Sequence, residues 1–236
     1  MDSTDSKHSG SGIGAESQSG GVALPEGPPA EHSAGSRRGW FVVFEGTDGS
    51  GKSTQAALLA QRTGALLTHQ PGATALGEVL RGITLGGSVG EITDRAEALL
   101  MAADRAQHVE SVIQPVLASG RTVVCDRYLG SSIAYQGHGR GLDPDMIEAI
   151  SMWATEDLVP DVVVYLSVDV SVAADRIGAP RDRIEAGGAG FHERVRAGFE
   201  ALAGSGSTWV TVDGSGSIDE VASRVQAAVM ARLAQL

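Results

Sequence analysis

The sequence predicts an α/β fold of three layers, a five-stranded parallel sheet with helices on both faces. Apolar, β-branched runs recur at 40–45, 65–70, 121–126, 161–168 and 208–214. Between them lie stretches whose apolar residues repeat at helical spacing. Unbroken apolar runs suit strands covered on both faces. Strands alternating with helices, joined by right-handed crossovers, build a parallel sheet.

Taken in order, residues 1–37 are Ser, Gly, Pro and Glu with scattered small apolar residues. Such a stretch cannot bury enough surface to offset its ordering entropy, so it is expected to be a disordered extension, either dispensable or regulatory. The ordered domain is expected over 38–236. WFVVFE (40–45) is the first strand, followed by a Gly-rich turn and a helix from Ser53 that Gly64 stops. ALLTHQ (65–70) is a weaker strand ending at Pro71, and 75–83 a short helix. Residues 93–120 read as one long amphipathic helix, capped by Thr93, ended by Gly120 and kinked by Pro115. RTVVCD (121–126) is a buried strand, 145–156 a helix, 161–168 a strand and 172–177 a short helix. A Gly-rich break and more helix precede the last strand, 208–214, and 217–236 closes the chain as an amphipathic helix.

At 236 residues with 42% hydrophobic content, one sizeable core is the default. The net charge of −11 argues against a nucleic-acid partner or an anionic membrane surface. No apolar run approaches a membrane span, and no apolar stretch follows the first charges as a secretory signal would need. A single cysteine excludes an internal disulfide and fits a reducing cytoplasm.

Ligands of such sheets bind at the carboxyl ends of the strands, and the chemistry-bearing residues fall there. Gly46-Thr47-Asp48-Gly49-Ser50-Gly51-Lys52-Ser53 fits G-x-x-x-x-G-K-[ST], between a buried strand and a helix. Its glycines let backbone N–H groups turn toward phosphate oxygens, and the helix N-terminus adds partial positive charge. Lys52 reaches the β- and γ-phosphates, and the Ser53 hydroxyl is placed for Mg²⁺. With Thr54 these residues form the expected ATP site. The loop alone does not name the acceptor.

Glu45 ends the first strand, and Asp48 puts a carboxylate beside the phosphates. Asp48 either faces an acceptor sugar hydroxyl or a metal-bound water, or is a solvated turn residue. Asp126 and Arg127 follow the buried strand 121–126. Asp126 suits a second Mg²⁺ carboxylate acting through water, and Arg127 offers a planar fork for a phosphate. The bland alternative for this pair is a surface ion pair.

FVVFEGTDGSGKSTQ, PGATALGEVLRGI, LLMAADRAQHVESVI, VVCDRYLGSSIAYQGHGRGLD and RDRIEAGGAGFHERVRAGFEALA together resemble bacterial thymidylate kinases, from about Trp40 to the final helix. The resemblance implies a P-loop kinase fold, ATP as donor, Mg²⁺, and conversion of dTMP to dTDP. It implies a homodimer paired through the 93–119 helix. Asp48 would hold the deoxyribose 3′-hydroxyl, Arg127 the dTMP phosphate, and Arg105 the thymine edge or a nearby phosphate. Ser132 and Gln136 lie where the base edge is read, and Tyr135 where a ribose 2′-hydroxyl is blocked. Arg176, Arg181 and Arg183 lie in or beside a short lid near 176–190. The phosphate loop carries no arginine, so the lid supplies the cation, with Arg183 the catalytic candidate beside Lys52, Asp48 and Arg127.

The chain departs from the family pattern around Pro71 and at Met101. Thr68-His69-Gln70-Pro71-Gly72-Ala73-Thr74 stands where the family has T-R-E-P-G-G-T, so His69 replaces an arginine and Gln70 a glutamate. Met101 replaces the stacking phenylalanine. A histidine is a weaker, pH-dependent cation for a phosphate, and a thioether covers less of a base face. Weaker or altered acceptor binding is expected, with phosphoryl transfer intact. Two other functions fit these residues: a kinase of another deoxynucleotide, and a non-catalytic nucleotide-binding protein. Elsewhere Cys125, Trp153 and Trp209 are expected in the core, His108 and His192 on exposed helix faces, and His138 and Arg140 either in a plain loop or beside the acceptor.

Overall fold

The computed structural model describes residues 24–25, 27, 37–86, 89–177, 183–184 and 188–236. The strands are β1 (Phe41–Glu45), β2 (Leu66–His69), β3 (Val123–Asp126), β4 (Val162–Ser167) and β5 (Trp209–Asp213). They form one parallel sheet in the order β2-β3-β1-β4-β5. After β1 the chain crosses to the β2 edge, and after β3 it crosses past β1 to β4. The crevice at the switch therefore opens between the carboxyl ends of β1 and β3. Register puts Phe44 and His69 level with Asp126 there.

Side chains of β1 alternate between two cores, as strand geometry requires. Val42 and Phe44 face α1 (Lys52–Thr63) and α9 (Ile218–Leu233), packing on Leu59, Val225 and Val229. Phe41 and Val43 face the other layer, against Val109, Ile113 and Leu117. Cys125 is fully buried in that second core, as expected.

The local stop and start signals act where the sequence places them. Gly64 ends α1 with φ 69°. Thr93 accepts from the Ala96 N–H and starts α3 (Asp94–His108), and Gly120 turns with φ 81°. Pro115 has no N–H to donate, and the helix passes it by widening to a π-helical turn at Val109–Ile113 before α4 (Gln114–Ala118). Glu220 and Ser217 form a reciprocal capping box ahead of α9.

Three expectations are corrected. Trp153, on α6 (Pro144–Ala154), is 83% exposed, because it lies on the outer face of its helix. Trp209 is half-buried between two apolar clusters rather than enclosed. His108 is fully buried: it lies one turn beyond Arg105 and Asp104 on the inner face of α3. A helical stretch not expected from sequence, α5 (Leu129–Ser132) and the π-helical turn Ile133–Gly139, follows β3. Its glycines disfavour helix, but Gly137 and Gly139 let Pro144 and Phe191 pack against its backbone, and tertiary packing overrides propensity. Within 1–37, Pro25 accepts from the Trp40 indole N–H at 2.7 Å, and Leu24 packs on the first core.

The remaining elements are α2 (Ala75–Leu85), α7 (Val170–Ile177) and α8 (Ala189–Ser205). Among the described residues no helix is long and apolar enough to cross a membrane.

Candidate active site

A cleft of about 870 Å³ opens over the carboxyl ends of β1, β2 and β3. On one side it is lined by the phosphate loop, from Asp48 and Gly49 through Gly51, Lys52, Ser53 and Thr54. Gly46, Gly49 and Gly51 have φ of 146°, 76° and 95°, conformations that L side chains rarely adopt. Gly46 also lies against the Leu166 carbonyl, 2.7 Å from where a Cβ would stand. Thr47 and Ser50 shape the loop from within: Lys52 Nζ donates to the Thr47 carbonyl at 2.8 Å, and Ser50 is buried. Burial pushes the Lys52 ammonium down to about 8; Arg127 adds to the shift, and Asp48 and Asp126 oppose it.

The Ser53 hydroxyl donates to Asp126 Oδ2 at 2.5 Å, and Asp126 Oδ1 is buried with no hydrogen-bond partner. A hydroxyl and a carboxylate with an orphaned oxygen suit a hard cation that keeps its other ligands as waters and phosphates. Among the described residues no three His, Cys, Asp or Glu gather into a fuller metal cage, and Mg²⁺ held mainly by nucleotide needs none.

Across the cleft stand His69, Met101, Arg105, Ser132, Tyr135 and Gln136, all lining it. Arg127 joins the two sides. Its backbone has φ 70°, unusual for a residue with a side chain. The conformation is held by its N–H to the Phe44 carbonyl at 2.9 Å, and by Glu45. Glu45 is buried and accepts from the Tyr128 and Ser131 N–H groups at 3.0 and 2.9 Å and from the Ser131 hydroxyl at 2.6 Å. Burial raises its pKa against these contacts. The guanidinium of Arg127 pairs with Asp48, which also accepts from the Tyr135 hydroxyl at 2.7 Å. Burial would raise the Asp48 carboxyl, but Arg127, Lys52 and Tyr135 hold it down at about 2. Asp48 is thus tied across the cleft rather than solvated.

Arg105 is buried with four neutral acceptors: Gln70 Oε1, the Ser151 and Ser132 hydroxyls and the Tyr128 carbonyl, at 3.0 to 3.1 Å. Because Gln70 spends its oxygen on Arg105, its NH₂ faces His108 Nδ1 at 3.0 Å. His108 Nδ1 therefore accepts, and Nε2–H donates to the Thr68 hydroxyl at 2.7 Å. Burial, with Arg105 and His69 nearby, lowers His108 to about 4, so it is neutral.

Arg176 lines the cleft and donates to the Gly49 and Ser50 carbonyls at 3.4 Å and the Gly214 carbonyl at 3.2 Å. Arg183 instead donates to the Thr84 carbonyl at 3.1 and 3.2 Å and to Glu97 at 2.5 Å. Arg181 lies outside the described residues, as does most of the lid; Ile184 packs beside Met101 and Tyr135. Arg140 also pairs with Glu97, at 3.0 Å, which puts it behind the acceptor side.

Three residues were missed in the sequence. Arg81 lines the cleft and donates to the Pro71 carbonyl at 3.0 Å; it is the one basic residue on the helix leaving the Pro71 turn. Asp104 is buried and accepts from the Gly72 N–H at 2.9 Å. Glu97 is buried one turn before Met101, and its place in the apolar stripe was the available signal.

Known proteins resemble the chain over most of its length. A family model described as Thymidylate kinase matches residues 44–225. The thymidylate kinase of Leifsonia xyli subsp. xyli is 46% identical over 198 residues, covering 80% of this chain and 94% of that protein. That of Cutibacterium acnes is 52% identical over 170 residues, 70% of this chain and 83% of that protein. The crystal structure of thymidylate kinase from Ehrlichia chaffeensis superposes with a TM-score of 0.68 at 29% identity, over 81% of this chain and 99% of that one. The family model spans most of the chain and these relatives are 46% and 52% identical over most of both chains, so the chain belongs to the thymidylate kinase family.

Proposed function

We propose that this chain transfers the terminal phosphoryl group of ATP to dTMP, giving ADP and dTDP for dTTP synthesis. The observation that carries this is the Asp48–Arg127 pair, which joins the phosphate loop to the acceptor pocket inside one cleft. Donor and acceptor phosphates would meet there. The acceptor phosphate has a second pKa near 6 and is mostly a dianion at neutral pH, so no general base is needed. Catalysis is positioning and charge neutralisation by Lys52 and Arg127, with a lid-side arginine completing the cage. Arg176 already lies on the phosphate loop, and Arg183 would have to leave Glu97 to serve. Ser53 and Asp126 would hold Mg²⁺, which when bound neutralises charge on the donor phosphates.

On the acceptor side, Asp48 would accept from the 3′-hydroxyl. Tyr135, anchored to Asp48 through its hydroxyl, leaves little room for a 2′-hydroxyl. Arg105 and Gln136 would read the base edge while Met101 covers its face. His69, in the cleft lining, stands where the family pattern has an arginine.

The chain is also proposed to act as a homodimer in the cytoplasm, where its nucleotides are free. Leu99 on α3 and Met146 and Trp153 on α6 are exposed apolar side chains on helices packed together, which supports pairing on the face of the 93–119 helix.

A coupled ADP-release assay with dTMP, dUMP, dGMP and CMP tests the activity. Turnover with dTMP well above the others is expected. Turnover on another acceptor with dTMP ignored would assign a different kinase, and none on any acceptor a non-catalytic binding protein.

A further inference from the structure

Glu97 lies on α3, fully out of solvent, four residues before Met101. Three side chains from other segments converge on its carboxylate. Gln136 Nε2 donates to Oε1 at 3.0 Å. Arg140 donates through Nε to Oε1 at 3.2 Å and through Nη2 to Oε2 at 3.0 Å. Arg183 Nη2 donates to Oε2 at 2.5 Å. With two guanidinium groups against it, this carboxylate only accepts.

That fixes the neighbouring carboxamide. A group facing a pure acceptor must present its donor, so the NH₂ of Gln136 points at Glu97 and its oxygen points away. Gln136 is 2% exposed and lines the cleft, and its oxygen accepts from no described residue. Arg105 lines the same cleft, donates to the Ser132 hydroxyl, and offers only donors, with one N–H on Nη1 left over from its four acceptors. The wall thus presents an acceptor at Gln136 beside a donor at Arg105.

We infer that Glu97 is a specificity-positioning residue: by holding the Gln136 carboxamide in one orientation, it sets the acceptor pocket to read a base edge with a ring N–H beside a carbonyl. Thymine and uracil have that edge. Cytosine has a ring nitrogen acceptor beside an amino group, and both contacts are reversed. Guanine shares the N–H beside a carbonyl, so Glu97 acts against cytosine, not against purines. This rests on the dTMP reading above, since Gln136 must face the base. The arrangement has the physics of other strong discriminations: the wrong edge leaves buried polar groups unpaired.

The test compares dTMP with 5-methyl-dCMP, which differ only at that edge. Glu97→Gln replaces the pure acceptor with a group that can face Gln136 by either end, so the Gln136 carboxamide can turn over. The ratio of kcat/KM for dTMP over 5-methyl-dCMP is expected to fall at least tenfold, with the change in acceptor KM and the ATP KM within twofold of wild type. In a Gln136→Ala background the same change should leave the ratio within twofold of Gln136→Ala alone, because the group being oriented is gone. Arg140→Gln removes an ionic partner but keeps the carboxylate, and is expected to hold the wild-type ratio even if the Glu97 variant fails to fold. An unchanged ratio in folded Glu97→Gln, an equal fall on top of Gln136→Ala, or a tenfold fall in Arg140→Gln would each overturn the inference. A wild-type protein inactive on dTMP would instead remove the reading beneath it.

Discussion

The Ser53 hydroxyl donates to one oxygen of Asp126 at 2.5 Å, while the other oxygen of Asp126 is buried without a partner. That orphan is costly to leave in the folded chain unless a ligand completes it. Chelating Mg²⁺ with EDTA is expected to abolish turnover. Asp126→Asn, which keeps shape and removes charge, should lower kcat by about a hundredfold, roughly 3 kcal/mol of barrier. It should also raise the Mg²⁺ concentration needed for half the maximal rate. Full activity in EDTA would refute the assignment of Ser53 and Asp126.

Lys52 titrates at about 8 because it is buried beside Arg127. At pH 8 the free protein therefore carries this ammonium only partly charged. Phosphates bound against it favour the charged form, so ATP binding takes up a proton. Calorimetry in buffers of different ionisation enthalpy should find an uptake of roughly half a proton at pH 8 and almost none at pH 6.5. Lys52→Met should abolish the uptake. A pH-independent value near zero would contradict the burial argument.

Burial, with the positive charge of His69 and Arg105 nearby, holds His108 neutral, with a folded pKa of about 4 against an ordinary 6.5, and the Gln70 NH₂ faces its Nδ1. Below pH 6.5 the unfolded chain gains a proton that the folded chain refuses. Stability is therefore full above pH 6.5 and is lost as pH falls toward 4, by up to about 3 kcal/mol. Gln70→Glu places a carboxylate against Nδ1, so His108 should then bind its proton in the fold. Urea melts of the two proteins at pH 7 and pH 4.5 check this. The variant should lose less stability than wild type, and an equal loss would show that His108 is not the titrating group.

His69 lines the cleft level with Asp126, where the family pattern has an arginine. Restoring a permanent cation with His69→Arg should lower the dTMP KM about five- to tenfold, or roughly 1–1.4 kcal/mol. The kcat should change less than twofold. An unchanged KM would mean that Arg81 and Arg127 already supply the full grip.

The strands and the phosphate loop were legible because their signals are local: buried parallel strands are unbroken apolar runs, and the loop is a fixed spacing of glycines before Lys52 and Ser53. Asp48, Arg127, Tyr135 and Gln136 were legible only as a set, through family resemblance, since no local pattern brings residues 48 and 127 together. His108 and Glu97 were misjudged or passed over because residue type suggested exposure, while their spacing from Met101 and Arg105 put them on the inner face of α3. Trp153 shows the opposite failure, an aromatic whose helix turns it outward. The helix Leu129–Gly139 could not be read from propensity, because its glycines are there for close packing against Pro144 and Phe191.

The most direct test of the central claim follows the phosphate itself. Incubating the protein with γ-³²P-labelled ATP, Mg²⁺ and dTMP should move the label to dTDP in proportion to ADP formed, and Lys52→Met should reduce this at least a hundredfold. Label appearing in inorganic phosphate with dTMP unchanged would contradict the account.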